Sequence, residues 1–311
     1  MRFAVAAVSL GFALAMGAGC DEFGLFSSRA DATEDMRTLG VVSFHAVSTL
    51  DPQGVLGGAA GAAEKFTIEA RFVRFDAPFE VEVREVLGLA ELDALPPGDE
   101  CTYAALVATP AATLDPDVPA APGGVELLDV GRILVRGAGT EQSLAVRTFP
   151  DLLDVMSGVT YGGGSALPYG PGRRYDVRGE ADRTPWVSVY APPGWDDLRV
   201  DGMSVHDGLV GTFDPEPRVD LRWIPWTDRP SDVMVTLFWS GASGAPEGII
   251  CHPADDGTFD LPARALALLP AAPDLADLML RVDRIVRVSF PLDRLDETEA
   301  VFRVSLTTPV R

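Results

Sequence analysis

Asparagine is missing from the 311 residues, glutamine occurs only as Gln53 and Gln142, and Lys65 is the only lysine. Planar side-chain amides are common partners of sugar hydroxyls, so their scarcity argues against a dedicated lectin, although Asp and Arg can substitute. Histidine is scarce as well, with His45, His206 and His252 far apart in the chain. Neither His-Glu-x-x-His nor Cys-x-x-Cys is present, so zinc sites of the usual kinds are not encoded. The nearest string to a Gly-x-Ser-x-Gly elbow, Gly241-Ala242-Ser243-Gly244, lacks its spacing. A triad assembled from distant residues is defined by geometry, not by order in the chain. The glycines at 57, 58 and 61 follow no strand and open no dinucleotide-binding helix, so they read as a loop.

Positive charge is also in short supply. Asp and Glu number 46 against 25 Lys and Arg, a net charge of −21, which repels phosphate backbones and argues against a nucleic-acid partner. These absences lead to an expectation of no cofactor, no metal and no enzymatic activity. What is present is an ordinary globular balance, with 47% apolar and 23% charged residues, enriched in Gly (31) and Pro (25).

The N-terminus carries an address. Arg2 precedes an uncharged apolar run from Phe3 to Met16, and Gly17-Ala18-Gly19 brings small residues up to Cys20. This is the layout of a secretory signal. Small residues before a cysteine resemble the lipobox of bacterial lipoproteins. That resemblance implies acylation of Cys20, removal of residues 1–19 and attachment to a lipid bilayer in the cell envelope. Two alternatives stay open: cleavage after Ala15 or Gly17 would free the chain, and an uncleaved segment would anchor it. Residues 20–38, rich in Asp, Glu, Ser, Ala and Thr, read as an acidic tether. Cys101 and Cys251 remain. In an exported protein an even pair invites a disulfide; otherwise two buried thiols would act as small hydrophobes.

Alternation dominates the rest. Phe66, Ile68, Ala70 and Phe72 alternate with polar residues, Asp76-Ala77-Pro78 interrupts, and Phe79, Val81 and Val83 alternate again. The pattern predicts a hairpin. Similar runs cover 133–135, 175–177, 187–190, 219–223, 278–282, 286–290 and 302–306, and the nearly all-apolar run 233–239 reads as a central strand. Short helices are expected over 261–269, capped by Asp260, and over 148–156. The predicted class is all-β: two antiparallel β-sandwich modules, immunoglobulin- or fibronectin-like, over residues 39–183 and 184–311. The C-terminal part also resembles uncharacterised bacterial envelope lipoproteins, through Ile249-Ile250-Cys251 followed by Asp255-Asp256-Gly257.

The acidic stretch Asp255–Asp260 weighs as a calcium loop against a hairpin turn, and its spacing favours the turn. The five tryptophans are Trp186, Trp195, Trp223, Trp226 and Trp239. Trp186, Trp223 and Trp239 lie in strand-like runs and read as core. Trp195 and Trp226 follow proline-containing loops and are the expected contact surface. The function expected is that of a membrane-tethered, non-enzymatic envelope lipoprotein acting as a structural or protein-binding module. The alternative is a carbohydrate-binding module or an accessory of polysaccharide processing.

Overall fold

A computed structural model describes residues 36–50, 63–105, 125–149, 158–207, 219–240, 246–269 and 278–309. Cys20, residues 1–19 and most of the expected tether lie outside them, although Met36 to Thr38 already belong to the first strand.

The fold is mostly β, and its frame is a ten-stranded sheet. Strand β1 (Met36–Thr49) pairs antiparallel along its whole length with β2 (Ala63–Asp76). On its other side β1 lies parallel to β18 (Glu297–Pro309), with Leu39 opposite Glu297 and Thr49 opposite Thr307. Beyond β18 come β17 (Met279–Ser289), β14 (Asp232–Ser240), β15 (Pro246–Cys251) and the edge strand β3 (Cys101–Ala105). Beyond β2 come β8 (Gly158–Gly164) and the edge strand β7 (Val146–Phe149), while β4 (Val125–Leu127) also pairs with β2. Two four-stranded sheets complete the fold. One has the order β10 (Val187–Tyr190), β9 (Arg174–Gly179), β5 (Ile133–Gly137), β6 (Thr140–Ser143). The other runs β12 (Met203–Ser204), β11 (Arg199–Val200), β13 (Val219–Arg222), β16 (Thr258–Leu261).

Because strand side chains alternate between faces, the main sheet carries two apolar surfaces. Val42, Phe44, Ile68, Phe72 and Phe302 share a core with Val135 and Tyr175 of the second sheet and Val219 and Leu221 of the third. At its centre Phe44 stacks on Phe302, their ring centroids 5.2 Å apart. The opposite face offers Leu39, Val41, Val73, Phe75, Met234, Ile285 and Val301, which are covered by Val83, Leu87, Leu89 and Leu92.

That cover corrects the predicted hairpin. After β2 the chain makes a 3-10 turn over Ala77–Phe79, then helix α1 (Glu80–Val86) and the single-turn α2 (Ala90–Asp93). Val81 is 72% exposed and Val83 only 3%, so the two valines do not share a face. Pro78 in the 3-10 turn leading into α1, and Glu80 and Glu82 at the positive end of the helix dipole, favour the helix. The buried series Val83, Leu87 then keeps the spacing of four that a helical face requires.

Other expectations also change. The main sheet takes strands from both sides of residue 183: β1, β2, β3, β7 and β8 share it with β14, β15, β17 and β18. The ladder is not wholly antiparallel, since β1 and β18 run the same way. The runs 278–282 and 286–290 form one strand, β17, and the charged residues that seemed to divide them, Asp283 and Arg284, are 0% and 1% exposed. The expected helix at 261–269 shortens to α3 (Ala263–Leu266), with Pro262 at its N-cap and Asp260 in β16. Of the expected helix at 148–156, Thr148 and Phe149 belong to β7 and the rest lies outside the described residues.

Candidate functional site

Charge buried within the core is the strongest departure from plain packing, because an unpaired ion there is costly. Arg284, in the middle of β17, points into the core between the sheets and spends its guanidinium on three loops. Its Nε and Nη2 donate to the two carboxylate oxygens of Asp255 at 2.9 and 3.1 Å. Nη2 also donates to the Ile224 carbonyl at 2.8 Å, and Nη1 to the Pro193 carbonyl at 3.1 Å. Its carbon centre lies 4.5 Å from the Trp195 ring. Asp255 in turn accepts from Trp223 Nε1 at 2.8 Å, from the Ser231 hydroxyl at 2.6 Å and from the Trp226 backbone N–H at 3.4 Å. Burial alone would raise the Asp255 pKa; the Ser231 hydroxyl, Arg284 and Trp223 outweigh it and hold the carboxyl below its usual range.

One buried ion pair therefore fastens segments 192–195, 223–231 and 252–257 to the central strand. On the outside of this hub sits Ile224, 62% exposed, beside half-buried Trp226. Arg229, from the same segment, lies over the Tyr190 ring at 3.5 Å. Several large apolar side chains are exposed among the described residues; what sets Ile224 apart is a carbonyl fixed by buried Arg284, so little ordering entropy would be lost on contact there.

The expected site residues sort as follows. Cys101 and Cys251 face each other on β3 and β15 and form a disulfide, with an S–S distance of 2.05 Å. Trp195 is not a surface residue: it is 4% exposed, packs edge-on to Trp223 and donates from Nε1 to the Val304 carbonyl at 2.9 Å. Trp226 packs its ring partly against the main core, so only part of it is available. Trp223 and Trp239 are buried, and Trp186 is half-buried.

Asp255 to Gly257 form a turn, with Thr258 to Asp260 already in β16; Gly257 has φ +97°, and a Cβ there would come within 2.8 Å of the Trp223 carbonyl oxygen. The turn joins β15 to β16, which belong to different sheets, so it is not a hairpin. The Asp255 carboxylate is spent on five donors and Asp256 caps the Thr258 N–H, which leaves little for calcium. Among the described residues no three His, Cys, Asp or Glu side chains gather to hold a metal.

Two of the three histidines make hydrogen bonds within the fold. His252 meets the Pro96 carbonyl at 2.9 Å through Nδ1 and Asp232 at 3.3 Å through Nε2, and His206 meets the Trp195 carbonyl at 3.3 Å. His45 lies on the helix-covered face, in register with Arg303.

Arg284 itself escaped sequence reading. Its signal was a charged pair, Asp283-Arg284, inside an otherwise strand-like apolar run, which looked like a break. No protein-family model matches the chain, and no curated protein matches it as a relative.

Proposed function

We propose that this chain is an exported envelope protein, anchored to a lipid leaflet through Cys20, that binds another protein without catalysis through the segment Ile224 to Arg229. The observation that carries the binding reading is Ile224, exposed at 62% while its own carbonyl is clamped by buried Arg284. Export is supported by the Cys101–Cys251 bridge, because structural disulfides persist in oxidising compartments. We further read the main sheet and the two smaller sheets stacked on one of its faces as a β-sandwich.

A glycan partner is less favoured. Trp195 is buried, and Arg229 already occupies a face of Tyr190, leaving Trp226 as the main ring platform on this surface. Among the described residues no helix is long and apolar enough to cross a membrane, so attachment in this reading rests on the lipid.

The test is a photo-crosslinking residue placed at Ile224 in the native, membrane-bound protein, with a control at exposed Val146 on the β7 edge. A discrete protein adduct at 224 and none at 146 supports the reading. Adducts of equal yield at both positions, or none at 224, remove it. Intact-mass measurement with and without reductant reports the acyl group on Cys20 and the disulfide in one experiment.

A further inference from the structure

Residues 77–95 lie across the face of the main sheet opposite to the Arg284 hub, and they are bound there by charge. Glu91 of α2 accepts from Arg281 at 2.6 Å and from Arg303 at 2.9 Å. Asp93 accepts from Arg287 of the sheet at 2.9 Å, and within the segment itself from Arg84 at 3.0 Å. Arg37 reaches Glu80 at 2.5 Å, and Arg71 donates to the Val86 carbonyl at 2.8 Å. Beneath them Asp283, fully buried, takes 2.8 Å from Arg281 Nε and 3.3 Å from Arg303 Nη2, and also accepts from Ser305. The floor is thus an apolar patch of Met234, Ile285 and Val301 lined by Arg281, Arg287 and Arg303, in a chain whose net charge is −21.

Within the cover only Arg84, paired with Glu80 and Asp93, adds side-chain ion pairs between the cover's own residues. The two helices are seven and four residues long, and neither N-cap, Phe79 or Leu89, makes a side-chain capping bond. Helices that short are not stable alone in water, so their order is borrowed from the floor. The floor borrows nothing comparable: β17 and β18 have ladder partners on both sides within the sheet. Pro78 before α1 and Pro96-Pro97-Gly98 after α2 delimit the segment, and Gly88 at φ +74° turns between the helices.

We propose that residues 77–95 form a detachable strap over a docking floor, so that an acidic, leucine-rich segment of another protein competes with the strap for Arg281, Arg287 and Arg303. Charge complementarity commits the occupant: the strap presents leucines flanked by Glu91 and Asp93 to arginines, and a competitor must do the same. The proposal is independent of the Ile224 reading, since the two sites occupy opposite faces of the sheet.

Hydrogen exchange on the full chain, native and Glu91→Gln/Asp93→Asn, tests it together with binding of a labelled synthetic peptide of sequence 77–95. The variant's strap amides, 83 to 94, are expected to exchange at least tenfold faster while β17 and β18 amides keep their native rates. The peptide is expected to bind the variant saturably and the native chain at least tenfold more weakly. Strap and sheet amides speeding up together would overturn the strap, and a peptide that fails to bind the opened variant would overturn the floor. Should the variant not fold, Leu92→Ala, which removes a buried strap side chain and leaves the floor's arginines untouched, takes its place, with the same outcomes.

Discussion

Arg284 and Asp255 show how a residue pair can matter more than its net energy suggests. Replacing the pair by apolar residues of similar size would cost little, but removing one member strands the other. Arg284→Met is expected to lower stability by about 3–5 kcal/mol, read as a shift in the urea midpoint, and Arg284→Met with Asp255→Leu to recover much of that. Equal losses in the single and double variants would contradict the hub. Acid acts on the other buried cluster. Burial opposes ionisation of Asp283 and Glu91, but Arg281 and Arg303 outweigh it and hold both carboxyls below their usual range. Their contribution is therefore complete above the unfolded carboxylate range and lost as pH falls through the folded values. Burial, aided by Arg303, pushes His45 down to about 4. The unfolded state thus takes up the His45 proton first, near its ordinary value, and stability falls as pH drops from about 6.5 towards that lower value. For His45 this is worth about 3 kcal/mol, so His45→Gln should flatten the urea-midpoint profile between pH 6.5 and 4; an unchanged slope would show that His45 is not the group responsible.

At the level of elements, α1 offers the sharpest contrast between pattern and structure. Read as a strand, Val81 and Val83 share a buried face; in the helix they part, 72% against 3% exposed. Val81→Asp should change stability by no more than ~0.5 kcal/mol, whereas Val83→Asp buries a charge and should cost ~3 kcal/mol or more, measured by thermal unfolding. Equal losses would restore the strand. The strand-like ambiguity is physical: a run of seven residues contains only two helical turns, too few for a period of 3.6 to separate from one of 2. Long runs were easier. β14 reads as a central strand from its continuous apolar stretch and lies between β15 and β17, buried over most of its length. Polar residues misled where burial was paired: Asp283 and Arg284 look like a break in sequence, and only the distant Asp255 for Arg284 and the distant Arg303 and Ser305 for Asp283 explain why they are tolerated inside. The same gap hid half of the candidate site. Trp226 and its loop were legible from proline punctuation, but the partner that buries Trp195, the Val304 carbonyl, lies 109 residues away.

For the whole molecule, the disulfide and the strand order bind early and late parts of the chain together. Cys101 and Cys251 enclose 150 residues, so their loss is expected to cost roughly 4–5 kcal/mol on chain-entropy grounds, seen as a lower urea midpoint under reductant. An unchanged midpoint would mean that the bridge adds nothing to stability. Residues 39–183 expressed alone would leave β1 without β18 and β3 without β15, so the fragment should lack the dispersed amide spectrum of a folded sheet. A well-dispersed spectrum would show instead that residues 39–183 fold alone, as the two-module division expects. The parallel pairing of β1 with β18 also bears on how the protein is born. A ribosome finishes β1 long before it starts β18, and although β2 can fold back on β1 at once, no hairpin can zip β1 and β18 together across so much intervening polypeptide. The nascent chain must wait, loosely held, until its final segment arrives. For the exported protein proposed above such a delay would be useful, since a sheet unable to close early cannot jam a secretion pore.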